Sequence, residues 1–408
     1  MALLLLLFVV SFTANAIGAN WLRVQGPVEF NEESTRVAKA LAAGRGFSNP
    51  YAPMPTGATI HLAPVFPFVY AGVVELFGAG RTGWWTIHIL MVGVYALQWT
   101  LAALFALDAG LPLPAASLAP FMGALLPIPG SCFKWEALLT GAELAAAAWL
   151  TLRLQRHFTR RAALLAGLLW GLTILTQPVA AIVWIAWTSL LAASRRRVGI
   201  LIIVWVPLVV ISPWLVRDYQ VARHLIFVRG NFGMELAVSN NDCATPLMKV
   251  NIETVCTKAI HPNESLQAAQ RVAQIGEYEF NRECMRDAIP WIEHHPVRFI
   301  QLTMGRLLLF WFPVSRDIPG GIARLTGIVI AVITALSIPG IVLLWRRFRF
   351  AAAMLFFGAL AYSLIYYIVE VDFRYRYPTL WINVVAASYA LSWLLAERKT
   401  VLKGLIKV

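Results

Sequence analysis

Charge is scarce in this chain. Only 13% of its 408 residues are charged, 59% are hydrophobic, and mean hydropathy is +0.68. A water-soluble domain carries about one quarter charged residues, so a soluble multidomain protein is excluded. Acids are scarcer still, 21 against 34 Lys and Arg. The resulting +13 does not imply nucleic acid, because the basic residues sit in short clusters between hydrophobic runs, which is the positive-inside pattern. No Walker loop, GxGxxG, HExxH or serine-hydrolase elbow stands at a suitable place. His294 and His295 are adjacent and lack the i, i+4 spacing of metal ligands. No metal site is assigned, no cofactor is expected with certainty, and dependence on a divalent metal stays open. Internal repeats, low-complexity tracts and flexible linkers are also missing. One membrane domain, 1–408, is expected.

What remains is a topology written in charge. Basic clusters at Arg153, Arg156, Arg160 and Arg161, at Arg195 to Arg197, at Arg346, Arg347 and Arg349, and at Arg398, Lys399, Lys403 and Lys407 are assigned to the cytoplasm. Segment 216–297 holds eight Lys/Arg against ten Asp/Glu, a net of −2, and is assigned outside. Runs suited to the ~30 Å hydrocarbon core fall at 1–21, 86–107, 112–130, 136–152, 162–177, 179–193, 198–215, 322–345, 350–369 and 378–396. The fold class expected is an all-α polytopic membrane protein of about ten spans, with outer segments 22–85 and 216–321. Both termini face the cytoplasm if the first helix is retained. Stretches 63–78 and 298–314 are apolar but read as helices along the outer interface. Counting either as a crossing would export a basic cluster, and they carry Pro64, Pro67 and Glu75, and Arg298 and Arg306. Gln177-Pro178 breaks 162–193 into a hairpin of two short helices. Ala14-Asn15-Ala16 permits signal cleavage, but a positive n-region is missing. Either way, residue 22 begins outside.

Acids at the mouths of membrane helices are costly unless paired, hydrated or used. Glu29 follows the first hydrophobic segment and Glu136 precedes the fourth span. Asn31 can cap the helix that runs to Gly44, with Glu32 and Glu33 in its first turn; capping leaves Glu29 unexplained. Glu143 lies seven residues beyond Glu136, close to two turns down the same face, and reads as hydrogen-bonded within the bundle or lining a hydrated cavity. Of the cysteines, Cys243, Cys256 and Cys284 fall in the outer segment, where a disulfide is permitted. Cys243–Cys256 is the preferred pair, and Cys284 is left over.

The segments PVEFNEESTRVAKALAAGRGFSNPY, HLAPVFP, SPWLVRDY, GNFGMELAVSNND and DFRYRYP together resemble the GT-C membrane glycosyltransferases, a group that includes protein O-mannosyltransferases and bacterial aminoarabinose transferases. The resemblance implies a retained first helix and a site facing the periplasm of a bacterial inner membrane. It implies an essential acid in the first outer loop, ahead of a helix ending like Ala43-Gly44-Arg45-Gly46-Phe47. Glu29 falls at that distance, although the family residue is more commonly Asp, so Glu32 or Glu33 remain alternative bases. Glu136 matches a second acid in the next outer loop. Glu370 through Pro378 resembles an E-x-R-Y-x-x-P signature. Arg374 and Arg376, with His61 and Lys134, are the expected donor-phosphate ligands, since a guanidinium fork suits phosphate. Arg217, Asn240 and Asn241 are the expected acceptor-binding residues.

The implied reaction moves a sugar from a polyprenyl-phosphate donor to a hydroxyl of a lipid, protein or glycan acceptor, with inversion. A carboxylate takes the acceptor's proton, and hydrogen-bond donors receive the departing phosphate. A polytopic lipid or small-molecule transporter or flippase is the rival. Such proteins often carry inverted repeats and broken midplane helices, whereas here the polar motifs collect at one face.

Overall fold

A computed structural model describes residues 2–21, 31–194, 200–314 and 321–405, and these fold as an all-α bundle. In chain order the helices are α1 (Ala2–Trp21), α2 (Glu33–Ala42), α3 (Val65–Phe77), α4 (Arg81–Asp108), α5 (Leu113–Ala124), α6 (Ala137–Arg156), α7 (Arg160–Thr176), α8 (Ala180–Ser194) and α9 (Ile200–Ala222). A polar cap of shorter elements follows: α10 (Phe232–Ser239), α11 (Met248–Asn251), α12 (Val255–Ile260), α13 (Leu266–Ile275), α14 (Glu277–His294) and α15 (Pro296–Trp311). The chain then returns to the bundle as α16 (Gly321–Arg347), α17 (Arg349–Ser363) and α18 (Tyr377–Leu405).

Among the described residues, six helices are long and apolar enough to cross a membrane by length and composition: α4, α6, α9, α16, α17 with its extension to Tyr367, and α18. Short apolar helices fill in around them. Of the ten expected spans, six appear as such helices; 162–177 and 179–193 form shorter helices of 17 and 15 residues, and 112–130 departs furthest. The stretch 112–130 is helical only over Leu113–Ala124, 12 residues, which at 1.5 Å per residue rises about 18 Å, short of the ~30 Å core. Pro127 and Pro129 cannot donate to a continuing helix, and the chain turns instead into a 3-10 turn at Gly130–Phe133. The break at Pro178 lies where expected. Gln177 is extended, its N–H closes α7 on Thr173 O at 2.8 Å, and α8 begins at Ala180.

Small residues let the helices approach closely, as membrane bundles require. A Cβ on Gly171 of α7 would fall 2.5 Å from Val210 Cβ of α9, and one on Gly340 of α16 would fall 2.0 Å from Ala386 O of α18. Trp99, Trp170, Trp187 and Trp381 are fully buried in the interior.

The cap has its own small core, Met234, Leu236, Val272, Phe280 and Cys284, between α10, α13 and α14. Cys243 and Cys256 are joined by a disulfide with Cα atoms 6.0 Å apart, while Cys284 is free and buried. Main-chain bonds tie the cap to the link between α17 and α18: Met248 N donates to Val371 O and Val371 N to Pro246 O, both at 3.0 Å. Buried Arg306 of α15 reinforces the join, donating to Asn240 Oδ1 at 3.1 Å and Ile368 O at 2.6 Å. Glu370 closes it, accepting from Asn251 Nδ2 at 2.6 Å, and burial raises its carboxyl to about 8.

Candidate functional site

Segments that interrupt the helical pattern converge at the capped end of the bundle. Gln177, held extended by the α7–α8 break, donates its Nε2 to Glu136 Oε1 at 3.1 Å. After α9 the chain doubles back along the first polar loop. There Gly230 N donates to Ile60 O at 2.7 Å and Arg229 Nε to His61 O at 2.9 Å. This pairing sets the Arg229 fork 4.0 Å from Glu136 Oε1 and 3.7 Å from Glu235 Oε1. The α17–α18 link contributes Tyr375, stacked on Tyr366 with centroids 4.4 Å apart, and Arg374, 4.3 Å above the Trp135 ring.

Beside Glu136 lies a cavity of about 330 Å³. Its polar wall is Gln177, Arg229, Asn231, Glu235 and Tyr375; its apolar wall includes Val179, Ile182, Phe227, Ile365 and Val369. Ile182 and Phe227 are themselves exposed, as is Ile185 one turn along α8. The apolar wall therefore continues into the hydrophobic surface of the bundle. Such a space takes a molecule with a charged head and a hydrocarbon tail.

A second charged cluster lies deeper. Glu33 Oε2 meets His61 Nε2 at 3.1 Å, and Glu33 Oε1 stands 3.8 Å from His261 Nε2. Burial pushes the Glu33 carboxyl up, but the neighbouring His61 and His261 imidazoles prevail and hold it well below its usual value. Burial opposes a charge on His61 as well, yet the Glu33 carboxylate raises its pKa. Both shifts describe one buried ion pair. Next to it Glu277 accepts from Thr59 Oγ1 and Ile60 N, both at 2.6 Å, and burial raises its carboxyl.

The expected site residues occupy varied places. Glu29 lies outside the described residues, as do Arg195 to Arg197. Glu32 is ion-paired to Lys134 at 2.6 Å, both side chains partly exposed. Arg217 donates to Phe47 O at 3.0 Å and pairs with Asp218 at 2.8 Å, fastening α9 to the first polar loop. Asn240 donates to Leu236 O at 2.9 Å and Ile368 O at 3.2 Å, and Asn241 to Ala237 O at 2.9 Å. Arg376 is buried, donating to Asn383 Oδ1 at 2.7 Å with its guanidinium 4.6 Å from the Trp311 ring. Among the described residues, no group of three or more His, Cys, Asp or Glu is placed to hold a metal.

Sequence reasoning passed over Arg229, Glu235 and Gln177. Gln177 was legible as part of a helix break, not as a partner for Glu136. Arg229 carried a usable signal: with Arg223 and His224 it flanks the apolar run Leu225-Ile226-Phe227-Val228, away from the four basic clusters.

This arrangement belongs to a polytopic, all-α membrane protein. No family model matches the sequence, and no curated protein matches it either. Solved structures do share the fold. The apo form of the oligosaccharyltransferase of Archaeoglobus fulgidus aligns with 99% of this chain and 52% of its own, at 14% identity and TM-score 0.55. The oligosaccharyltransferase AglB from the same organism, in complex with an inhibitory peptide and a dolichol-phosphate, aligns with 99% of this chain and 51% of its own, at 14% identity and TM-score 0.54. A form tethered to an acceptor peptide containing the NVT sequon gives 97% and 49%, at 14% identity and TM-score 0.54. The chain shares the fold of these oligosaccharyltransferase structures and spans about half of their length.

Proposed function

We propose that this protein is a membrane glycosyltransferase that moves a sugar from a polyprenyl-phosphate donor to an acceptor hydroxyl of a lipid, protein or glycan. The observation that carries the reading is the cavity of about 330 Å³ whose polar wall includes Arg229, Glu235 and Gln177, the last bonded to Glu136 just behind the lining, and whose apolar wall merges with the hydrophobic surface. A lipid-linked phosphosugar has the matching shape, with its hydrocarbon reaching the bilayer and its head among charged groups. The site is taken to face the periplasm of a bacterial inner membrane, because the basic clusters collect at the opposite ends of the spans.

The chemistry is a single displacement. The acceptor oxygen bonds to the anomeric carbon as the carbon–oxygen bond to phosphate breaks, inverting that centre. The bonding pair leaves on the phosphate, and the acceptor's proton passes to a carboxylate. Glu136 is one proposed base. Gln177 holds its carboxylate, and a base must be oriented as well as ionised. Glu29, from the first polar loop, is the second. Glu33 is poorly suited to the role, because it is committed to His61 in a buried pair.

Mass spectrometry of lipid copurifying with the full-length protein tests the reading. A polyprenyl phosphosugar supports it. Phospholipid alone, with no transfer from any polyprenyl-phosphate sugar supplied to the purified protein, would favour a transporter.

A further inference from the structure

Several cations stand at the polar end, and their commitments differ. Lys134 is ion-paired with Glu32 at 2.6 Å. Arg374 is spread over the Trp135 and Tyr375 rings and donates to Tyr375 Oη at 3.2 Å. Arg376 is buried and hydrogen-bonded to Thr379, Thr334 and Asn383. Neither Arg374 nor Arg376 lines the cavity beside Glu136, and Arg229 does. Arg229 is also hydrogen-bonded at its base, while its fork is ion-paired with two carboxylates without a hydrogen bond to either. Its Nε donates to His61 O at 2.9 Å, while its terminal nitrogens stand 4.0 Å from Glu136 and 3.7 Å from Glu235, beyond hydrogen-bond reach.

We propose that Arg229 is the residue that grips the donor's phosphate, and that the backbone carbonyl of His61 aims it. This deepens the glycosyltransferase reading and depends on it. The terminal N–H groups of a guanidinium can make two parallel bonds to phosphate oxygens. Glu136 and Glu235 balance the charge of Arg229 at 4.0 and 3.7 Å, and no hydrogen bond to them is broken when phosphate takes the fork. During transfer the phosphate changes from a diester to a monoester and gains one negative charge as the carbon–oxygen bond breaks. A fixed cation there interacts more strongly with the transition state than with the bound donor, which is the condition for a rate effect.

His61 enters as a positioning residue. Its ring is locked by Glu33, with the Tyr51 ring edge-on at a centroid distance of 5.2 Å. That fixes the peptide whose oxygen receives Arg229.

The test uses full-length purified protein and two probes, a polyprenyl monophosphate and the matching polyprenol. Wild-type protein is expected to bind the phosphate more tightly than the alcohol, and Arg229→Gln to lose about 10- to 100-fold of that preference, as for a lost charge-assisted pair. Arg229→Lys should fall between, and Arg374→Gln should lose much less. Because Arg229 touches several elements, wild-type protein is also treated with phenylglyoxal. Polyprenyl monophosphate should protect Arg229 from modification, and polyprenol should not. Protection absent, or a preference kept in a folded Arg229→Gln and lost in Arg374→Gln, overturns the assignment. Equal wild-type affinity for both probes would instead defeat the donor reading beneath it.

Discussion

Two charged clusters at the capped end of the bundle use similar residues and end in opposite states. Around Glu33 the groups are sealed: His61 and Glu277 are buried, their partners lie at hydrogen-bond distance, and three stretches of chain are pinned together. Around Glu136 the groups are open. Its contact with Arg229 is 4.0 Å, that of Arg229 with Glu235 is 3.7 Å, and Arg229 and Glu235 line a cavity. A buried pair holds together because removing either member strands the other. A loose pair beside a cavity retains capacity for a ligand. The contrast assigns structure to the first cluster and chemistry to the second, whereas sequence alone keeps Glu33 as an alternative base in a first helical turn alongside Glu136 at a span mouth.

The sharpest way to break this division is to neutralise one acid from each side. Glu136→Gln keeps the size and one acceptor oxygen of the side chain. If Glu136 is the base, turnover should fall by about 10²–10⁴-fold with the melting temperature little changed. An unaltered rate would move the base to Glu29, and Glu29→Gln should then show the loss.

The sealed cluster should answer in stability instead. His61→Ala removes the hydrogen-bonded partner of the buried Glu33 carboxylate, and breaking such a pair costs about 3–5 kcal/mol. The effect depends on pH in a defined way. His61 has a raised folded pKa, so its contribution is complete below the unfolded value of 6.5 and fades as pH rises through the folded one. Glu33 has a lowered folded pKa, so its contribution is complete above 4.5 and fades as pH falls through the folded one. The gap in melting temperature between wild type and His61→Ala should thus be widest between about pH 4.5 and 6.5 and narrow on either side. A gap that grows steadily toward alkaline pH would show that the pair is not ionic.

Much of the architecture was legible because membrane spans advertise themselves. Hydrophobic runs located most of the bundle, and the proline after Gln177 located the hairpin, since one missing N–H ends a helix wherever it falls. The stretch 112–130 misled because its apolar composition hid two prolines near its end. The site was legible only in parts. Glu136 stood out as a lone acid at a span mouth, but its partners come from positions 177 and 229, joined to it by bundle packing rather than by spacing. Asn240 drew notice inside a motif, yet its amide spans α10 and the α17–α18 link. Motif membership carried no information about which way that side chain faces.

The cap contributes to both clusters, His261 and Glu277 to one and Glu235 to the other, and its covalent tie should give an intermediate effect. Cys243 and Cys256 are 13 residues apart, and closing a loop of that size restricts the unfolded chain by about 3 kcal/mol. Cys243→Ser with Cys256→Ser should lower the stability of the cap, read as faster proteolysis within 243–256. Glu136 lies outside the closed loop, so the donor cavity should stay intact. Loss of donor binding in the double variant would mean that the disulfide holds α10, whose Phe232 and Glu235 line the cavity, in place.

The smallest effect tests whether exposure, rather than charge, separates the clusters. Lys134 and Glu32 form a shorter ion pair than any contact at Glu136, 2.6 Å, but the side chains are 45% and 35% exposed. Water screens such a pair, and two ordered side chains offset much of the attraction, so its contribution is about 0–1 kcal/mol. Lys134→Ala should leave the melting temperature nearly unchanged at moderate salt, and what change there is should vanish at high salt. Its effect on turnover is the more telling measurement. If Lys134 serves only Glu32, Glu32→Gln and Lys134→Ala should be equally mild, and the double variant no worse than either. If Lys134 turns to the donor phosphate during transfer, Lys134→Ala alone should weaken binding of a polyprenyl monophosphate. That outcome would enlarge the open cluster to include an ion pair that looks closed in the resting protein.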